Sequence, residues 1–404
     1  MKQTSKKHVG NHPLLKRLNR SIVLNFLHLQ GGLSRKELTN LTQLDGKTIT
    51  NITQDLLRLK MIKAVGKVSR GVGRPSEIIE LNPQYGFALG IDLGASHITG
   101  IAVDFTGTIL ARAQSTIRYG LSPSTIIKRM ISIGEKVINE LKTDKKEFLG
   151  VGVCVPGIVD RKTGIGVWAA NLSKWKNVQI SKPFASAFNV PVFLEESTRC
   201  AALGEMFARP NDNLKDFLLL DLSLGVGSAL VQNGKLYYGH SGVAGEIGHT
   251  TIKPGGLPCR CGKQGCLEAE ASGYAIARKY SETLPKSNKA ITKKPDAISA
   301  QDVVTAMSQG NEVCGRIFNE AAQMLGTAAA NAVMLLNPAH LVLMGGLTRS
   351  GDWLMQPFRE ALRKELRPEI IENLTVEISP LGDNSGPLGA ASLVLNKILD
   401  SPGM

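Results

Sequence analysis

Four residues with metal-binding side chains fall within eighteen positions of the glycine-rich stretch from Gly245 to Glu268. They are His249, Cys259, Cys261 and Cys266, in a chain that has only six cysteines. Three thiolates and one imidazole match the ligand set of a tetrahedral zinc site, and four protein ligands leave no position open for a substrate. The pattern therefore predicts one structural Zn²⁺ per chain that shapes a loop and performs no chemistry.

The alternative for these cysteines is a set of unpaired thiols or a partial disulfide framework. Six cysteines in 404 residues, with no export signal at the basic N-terminus, instead predict a reduced, cytoplasmic protein. No apolar run approaches the length of a membrane span, so no membrane association is expected. The metal site is the favoured interpretation.

Two carboxylates that the metal does not need, Glu246 and Glu268, flank the same stretch. Charged oxygens accept strong hydrogen bonds from hydroxyl groups. The stretch therefore predicts a metal-braced loop that presents acidic groups to a ligand rich in hydroxyls.

The net charge of +14 is concentrated at one end of the chain. Residues 1–85 contain 15 Lys or Arg against 5 Asp or Glu, and the remaining residues are nearly neutral. The length predicts two or three domains, and the composition is that of a globular protein. A basic segment joined to a neutral body indicates a polyanion-binding module with a second unit behind it.

The basic segment has the pattern of a helix-turn-helix. An apolar stripe predicts a helix over 13–30, Ser34 and Glu37 form a capping box for a helix to about residue 40, and a further helix is expected over 47–60. The expected buried face of that last helix is Ile49, Ile52, Leu56, Leu57 and Leu59. The expected DNA contacts of the unit are Ser34, Arg35, Lys47, Thr48, Thr50 and Asn51, with Thr53 as a further candidate.

A strand pair over 62–68 and 77–81 carries a glycine-rich tip at 69–75, which is typical of a wing. Arg70 and Arg74 at this tip could enter a narrow minor groove, where the negative potential is enhanced. The alternative is a three-helix protein-interaction domain with a solvated basic hairpin.

The rest of the chain alternates strands and helices, with glycine turns at strand ends, and so predicts an α/β body with a ligand cleft at those ends. Two hairpins of similar form, after Asp92 and before Gly225, hint at an internal duplication. The first, Asp92-x-Gly94, is of the kind that cradles nucleotide phosphates.

These motifs together resemble the ROK family (repressors, open reading frames and kinases), which has an actin-like, ribonuclease H-like sugar-kinase fold of two α/β lobes. The carriers are Glu246-Ile-Gly-His249 and the run from Cys259 to Glu268, supported by Pro156-Gly157 and Gly345-Gly346. The resemblance implies that the four predicted ligands hold zinc. It also implies that Glu246, His249, Glu268 and Asn171 line a sugar site.

The chain departs from the family's kinases where phosphoryl transfer needs it most. Ser197 stands at the position of the aspartate that deprotonates the sugar hydroxyl, and serine is not a useful base near neutral pH. Leu224 replaces the hydroxyl residue of the second phosphate loop. Glu196 and Ser197 replace groups that contact the sugar, and Arg199 brings a large cation that meets either an anionic group on the ligand or a neighbouring glutamate.

We therefore expect a winged helix-turn-helix over 1–82, a first lobe over 83–200 and a second lobe over 201–404, with a last helix near 387–399 returning to the first lobe. The expected function is a transcriptional repressor of carbohydrate-utilisation genes, relieved or modulated by a sugar or sugar phosphate in the cleft, and not an enzyme. The expected partners are operator DNA, that effector and further copies of the chain in a homodimer or homotetramer. The alternatives are a sugar kinase with a DNA-binding head and a constitutive DNA-binding protein without a ligand.

Overall fold

The computed structural model describes residues 12–68, 75–94, 96–117, 120–141, 146–170, 172, 174–284 and 298–402. Two sets of predicted contacts fall outside these residues, namely Arg70 and Arg74 at the wing tip and Asn171 in the sugar site. None of the helices within the described ranges combines the length and apolar character needed to cross a membrane.

Three helices and three short strands form the N-terminal part. They are α1 (His12–Gln30), β1 (Leu33–Ser34), α2 (Arg35–Thr42), α3 (Gly46–Arg58), β2 (Ile62–Val68) and β3 (Ser76–Leu81). The strands form an antiparallel sheet in the order β1-β3-β2. Ser34 and Glu37 form the predicted capping box, and Asp45 caps α3 by accepting the N–H of Thr48.

Two details of the predicted apolar faces are wrong. Ile49, Ile52 and Leu56 are buried as expected, but Leu59 is 39% exposed because α3 ends at Arg58, and Leu57 is only partly buried. On α1 the buried side chains include Val23, Leu24 and Leu27, whereas several members of the predicted stripe face outward. Those exposed residues are Leu14, Leu15, Leu18, Ile22 and Leu29.

The body contains two groups of elements. The first is β4 (Gly86–Leu93), β5 (His97–Asp104), β6 (Ile109–Thr116), α4 (Pro123–Asn139), β7 (Glu147–Val155), β8 (Ile158–Asp160), β9 (Ile165–Trp168), β10 (Lys176–Gln179), α5 (Ser181–Phe188), β11 (Val192–Glu196) and α6 (Ser197–Ala208). The second is β12 (Phe217–Leu222), β13 (Val226–Gln232), β14 (Lys235–Leu236), α7 (Leu267–Ala271), α8 (Gly273–Thr283), α9 (Ala300–Ser308), α10 (Glu312–Leu336), β15 (His340–Met344), α11 (Asp352–Glu365), α12 (Pro368–Ile371), β16 (Thr375–Ile378) and α13 (Ser385–Asp400).

Each group builds a five-stranded sheet of the same topology. The orders are β6-β5-β4-β7-β11 and β14-β13-β12-β15-β16. In both, three consecutive strands pair antiparallel and two later strands add in parallel beside the first. The duplication that the two hairpins suggested is confirmed.

Helices α6 and α13 cross closely where both carry glycine. A Cβ on Gly389 would lie 1.6 Å from the carbonyl oxygen of Cys200, and one on Gly204 would lie 2.2 Å from that of Ser385. Helix α13 also contacts β4 and β7 of the first sheet. The predicted lobe boundary at residues 200 and 201 falls inside α6, so a packed helix and not a linker joins the two sheets.

The N-terminal part shares one apolar core with the body. Val23, Leu24 and Leu27 of α1 belong to the same buried cluster as Phe207 at the end of α6 and Leu395 of α13. The rings of His28 and Phe207 stack with centroids 4.4 Å apart. A movement of α6 would therefore reach α1 directly.

Candidate ligand cleft and metal centre

The structure brings the four predicted metal ligands together. Their donor atoms all lie within 4.8 Å of one another, with His249 Nδ1 3.6 Å from Cys259 Sγ and Cys261 Sγ 3.7 Å from Cys266 Sγ. Zn–S bonds of about 2.3 Å in a tetrahedron separate two sulfurs by about 3.7 Å, so this cluster fits zinc. All six cysteines lie in the described ranges and none forms a disulfide.

The loop that carries these ligands has a close backbone contact at a glycine. Gly265 has φ +70°, and a Cβ there would lie 1.7 Å from the carbonyl oxygen of Lys253. The carbonyl oxygen of Gly265 accepts the N–H of Ile252 at 2.9 Å. This close approach explains why the position before Cys266 is glycine, and it leads the chain into α7, whose first turn carries Glu268.

A cleft of about 700 Å³ lies between the two sheets at the carboxyl ends of their parallel strands. One wall is the metal loop, from which Glu246, His249 and Glu268 line the cavity. Glu246 Oε2 lies 3.8 Å from His249 Nε2, so the imidazole has Nδ1 in the metal cluster and Nε2 toward the cleft. Glu268 accepts the N–H of Val226 at 3.1 Å, which fixes its carboxylate.

The junction of β11 and α6 forms the facing wall, with Glu196 and Ser197. Glu196 is the N-cap of α6, and its oxygens accept the N–H groups of Thr198 at 2.8 Å and Arg199 at 3.0 Å. Burial raises the pKa of Glu196 to about 7. Ser197 lines the cleft, and its buried hydroxyl oxygen has no hydrogen-bond partner among the described residues.

The guanidinium of Arg199 is turned away from any ligand role. It is 7% exposed, donates to the carbonyls of Gly242 and Ala244 at 2.9 Å each, and lies 3.7 Å from the buried carboxylate of Glu195. Of the two predicted alternatives, the pairing with a neighbouring glutamate is therefore the one observed. Sequence reasoning missed Tyr238, whose hydroxyl donates to Glu195 at 3.0 Å from 43 positions away.

The predicted phosphate turns carry acidic groups. The thiol of Cys154 donates to Asp92 Oδ1 at 3.1 Å, and burial raises the pKa of Asp92 to about 7. In the second turn the Ser223 hydroxyl donates to Asp221, whose pKa burial also raises. Leu224 lines the cleft beside them. Leu224 therefore places an apolar side chain at the second of the predicted phosphate turns.

The predicted DNA contacts divide into exposed and internal side chains. Lys47 and Asn51 are exposed on α3, and Thr48 and Thr50 are partly exposed, with their hydroxyls bonded to Asp45 and to the Gly46 carbonyl. The side chains of the three remaining candidates bond to other residues of the N-terminal part.

Two of those three are buried, and the third is tied to its neighbours. Ser34 is 5% exposed with its hydroxyl in the capping box, and Thr53 is fully buried. Arg35 bonds Thr53 and Glu77. Ser34 and Thr53 are therefore misplaced as expected DNA contacts, because the helix cap and the core between α2 and α3 use them.

Known proteins match this chain along nearly its whole length. A model of the ROK family matches residues 88–397. The xylose repressor of Caldicellulosiruptor bescii is 29% identical over 399 residues, covering 98% of this chain and 99% of that protein. The glucokinase of Halalkalibacterium halodurans is 30% identical over 311 residues, covering 76% of this chain and 94% of that enzyme.

A solved structure shares the fold from end to end. It is a ROK family transcriptional regulator, a homologue of the E. coli MLC protein, with a TM-score of 0.76 at 23% identity over 96% of this chain and 97% of that one. The family model begins only at residue 88, after β3. Repressors thus match the N-terminal part and the body, while the glucokinase match leaves part of the chain uncovered.

Proposed function

The chain belongs to the ROK family, and on that premise we propose that it is a DNA-binding transcriptional regulator that represses genes of carbohydrate use until a sugar binds in its cleft. One observation carries the proposal. The cleft is lined by carboxylates suited to sugar hydroxyls and by Ser197, whose hydroxyl has no partner among the described residues and whose position, by the family resemblance, is that of the base in the kinases.

The N-terminal part is assigned as a winged helix-turn-helix, with α3 as the helix that enters the major groove. The order of α1–α3 and the β2–β3 hairpin supports this assignment, as does the excess of basic residues. Lys47 and Asn51 are the exposed candidates for base or phosphate contacts, and Arg70 and Arg74 those for the wing. A dimer would place two such heads on half-sites about one helical turn, roughly 34 Å, apart.

The cluster of His249, Cys259, Cys261 and Cys266 is assigned as a structural zinc site. Zinc would supply a fixed tetrahedral cross-link here and no Lewis-acid chemistry, because all four positions are taken by protein. The residues of this chain do the binding. Glu246 and Glu268 project from either end of the braced loop and would accept hydrogen bonds from sugar hydroxyls.

Three groups complete the proposed sugar site. Glu196 and Ser197 face the loop from α6, and Asn171 is expected beside them. The free hydroxyl of Ser197 supports binding of a neutral hydroxyl, since a buried donor without a partner is costly until a ligand satisfies it.

The lobes are proposed to be 83–200 and 201–404, with α6 as the continuous element between them. Its first turn lies in the cleft and Phe207 near its last turn stacks on His28 of the head. Twelve helical residues span about 18 Å, so a shift at Ser197 would be transmitted rigidly to α1. A ligand that favours one position of α6 would change the spacing of paired heads.

The second candidate function is a sugar kinase with a DNA-binding head, which the likeness to the glucokinase favours. Ser197 and Leu224 argue against it. The purified protein is expected to consume no ATP with any hexose or pentose. Steady turnover in a coupled assay would reverse the assignment.

Operator binding tests the head. Lys47→Ala combined with Asn51→Ala is expected to weaken binding to DNA from upstream of the chain's own reading frame by about 30-fold or more in anisotropy titrations, since each of the two contacts contributes about 1–3 kcal/mol. Lys128→Ala, which removes an exposed charge from α4 of the body, serves as the control and is expected to bind normally. Equal binding by all three proteins would remove α3 from the interface.

A further inference from the structure

We propose that the effector is an uncharged sugar and that Arg199 is a positioning residue for its binding loop, not a receptor for a phosphate. The inference rests on the proposed sugar site and narrows its ligand. It is supported by the contacts that the arginines of the cleft and the N-terminus of α6 already make.

Arg199 is the cation nearest the sugar groups in sequence, and its donors are occupied. One terminal nitrogen donates to two carbonyl oxygens, of Gly242 and Ala244, and the other lies 3.7 Å from Glu195. Glu195 is fully buried, and the Tyr238 hydroxyl and the guanidinium of Arg161 also contact it. Turning Arg199 toward a ligand would break its two hydrogen bonds to backbone carbonyls and remove one of the two guanidinium groups beside that buried carboxylate, which is unfavourable.

The N-terminus of α6 is the second place where an anion could be held, and Glu196 fills it. Free N–H groups at the start of a helix attract phosphates. Here the two carboxylate oxygens of Glu196 accept the N–H groups of Thr198 and Arg199. A ligand phosphate would have to displace a carboxylate that is covalently tethered beside them.

The remaining described arginine of the cleft is also paired. Arg349 binds both carboxylate oxygens of Asp383 at 2.6 Å. No lysine lies among the described residues that line the cavity, whereas several carboxyl groups do. They are Asp92, Glu196, Asp221, Glu246, Glu268 and Asp383. A phosphate in the sugar half would face carboxylates with no unpaired lysine or arginine among the described residues of the lining, and bringing like charges together is unfavourable.

The bonds of Arg199 serve the loop that presents Glu246. Gly242 and Ala244 precede that glutamate, and the next carbonyl, of Gly245, accepts both the N–H and the hydroxyl of Ser228. Arg199 therefore ties the first turn of α6 to one end of the binding loop. This tie fixes the distance between Ser197 on one wall and Glu246 on the other.

Thermal-shift and calorimetric titrations of the full-length, metal-loaded protein test the ligand class. The probes are D-xylose, D-glucose with glucose 6-phosphate, and N-acetyl-D-glucosamine with its 6-phosphate. We expect at least one neutral sugar to bind, at least about tenfold more tightly than its phosphate where the pair exists. A phosphate that binds more tightly than its parent sugar overturns this inference and leaves the sugar site standing. If no probe binds, the proposed sugar site itself fails.

Arg199→Lys tests the positioning role with the sugar that binds wild type. Lysine keeps the charge but lacks the planar fork that reaches two carbonyls and Glu195 together. We expect sugar affinity to fall about tenfold or more while zinc content and operator affinity stay at wild-type values. The control is Arg363→Lys, the same change at an exposed arginine of α11 that does not line the cleft, and it is expected to change affinity less than about threefold. Unchanged affinity in Arg199→Lys overturns the positioning role.

Discussion

The two walls of the cleft differ in the side chains that they present to a ligand. The wall of the metal loop carries two carboxylates, Glu246, which is half-exposed to the cavity, and Glu268, which Val226 fixes. The facing wall has Ser197 at the position where the family resemblance expects a base, and Leu224 lies at the second predicted phosphate turn. In the proposed function, the metal loop therefore carries most of the sugar recognition, and the departures from the kinases lie on the facing side.

The largest expected effect comes from opening the metal loop. Cys259→Ser or Cys261→Ser removes one ligand of a four-ligand site, so we expect loss of stoichiometric zinc and complete loss of the sugar response in operator binding. Metal analysis and anisotropy titrations measure the two effects. Cys314→Ala, a cysteine buried in the core of the second group of elements, is the control and should retain both. Full metal and normal induction in the serine variants would exclude the zinc assignment.

The next effect compares the two walls directly. Glu246→Gln removes a charged acceptor and is expected to weaken sugar binding by about 10- to 100-fold, because hydrogen bonds to charged groups contribute about 1.5–3 kcal/mol. Ser197→Ala removes a neutral hydroxyl on the opposite wall, and a loss of about fivefold is expected. Calorimetry on both variants gives the ratio. A larger loss at Ser197 than at Glu246 would mean that the facing wall carries recognition.

The smallest expected effect is a pH dependence of the free energy of unfolding that comes from Asp92 in the first predicted phosphate turn. Burial raises the pKa of Asp92 to about 7, so the folded state holds a proton that the unfolded chain has released. The contribution of this group to stability is therefore full below the ordinary aspartate pKa and is lost as the pH rises toward 7. Relative to Asp92→Asn, the wild-type protein should lose about 1–4 kcal/mol of unfolding free energy across that window.

An exposed aspartate supplies the control for this pH series. Hydrogen bonds from Thr163 lower the pKa of Asp160, so its contribution is lost as the pH falls instead. In chemical denaturation from pH 4 to 8, the stability difference between wild type and Asp92→Asn should change with pH, whereas that between wild type and Asp160→Asn should stay nearly constant, because the window of Asp160 lies below the ordinary aspartate pKa. A flat difference for Asp92→Asn would mean that this carboxyl is ionised in the cleft.

Local patterns predicted much of this molecule. The capping box at Ser34 and the metal ligands rest on short-range spacing, and the structure reproduces both. The small sheet β8–β10 and helix α5 were not foreseen because their segments are short. Helix α11 was not foreseen although it is amphipathic, because Pro357 lies inside it and proline normally interrupts a helix. The metal ligands could be predicted because all four lie close together in the sequence, so their spacing is visible without the fold.

Contacts between distant segments could not be read in the same way. Arg199 reaches the carbonyls of Gly242 and Ala244, and Tyr238 reaches Glu195, only because the fold brings α6 beside the chain after β14. Backbone carbonyls carry no sequence signal at all. The role of Arg199 depends on such contacts. Only the structure could therefore decide between the two alternatives predicted for it.

The measurement that tests the central claim most directly is an operator titration with and without the sugar that raises the protein's melting temperature. Labelled upstream DNA, full-length metal-loaded protein and saturating sugar are sufficient, and ATP is omitted. The account predicts that sugar alone weakens operator binding by about 5- to 150-fold, the range of a 1–3 kcal/mol coupling. Operator affinity that is the same with and without the bound sugar would contradict it.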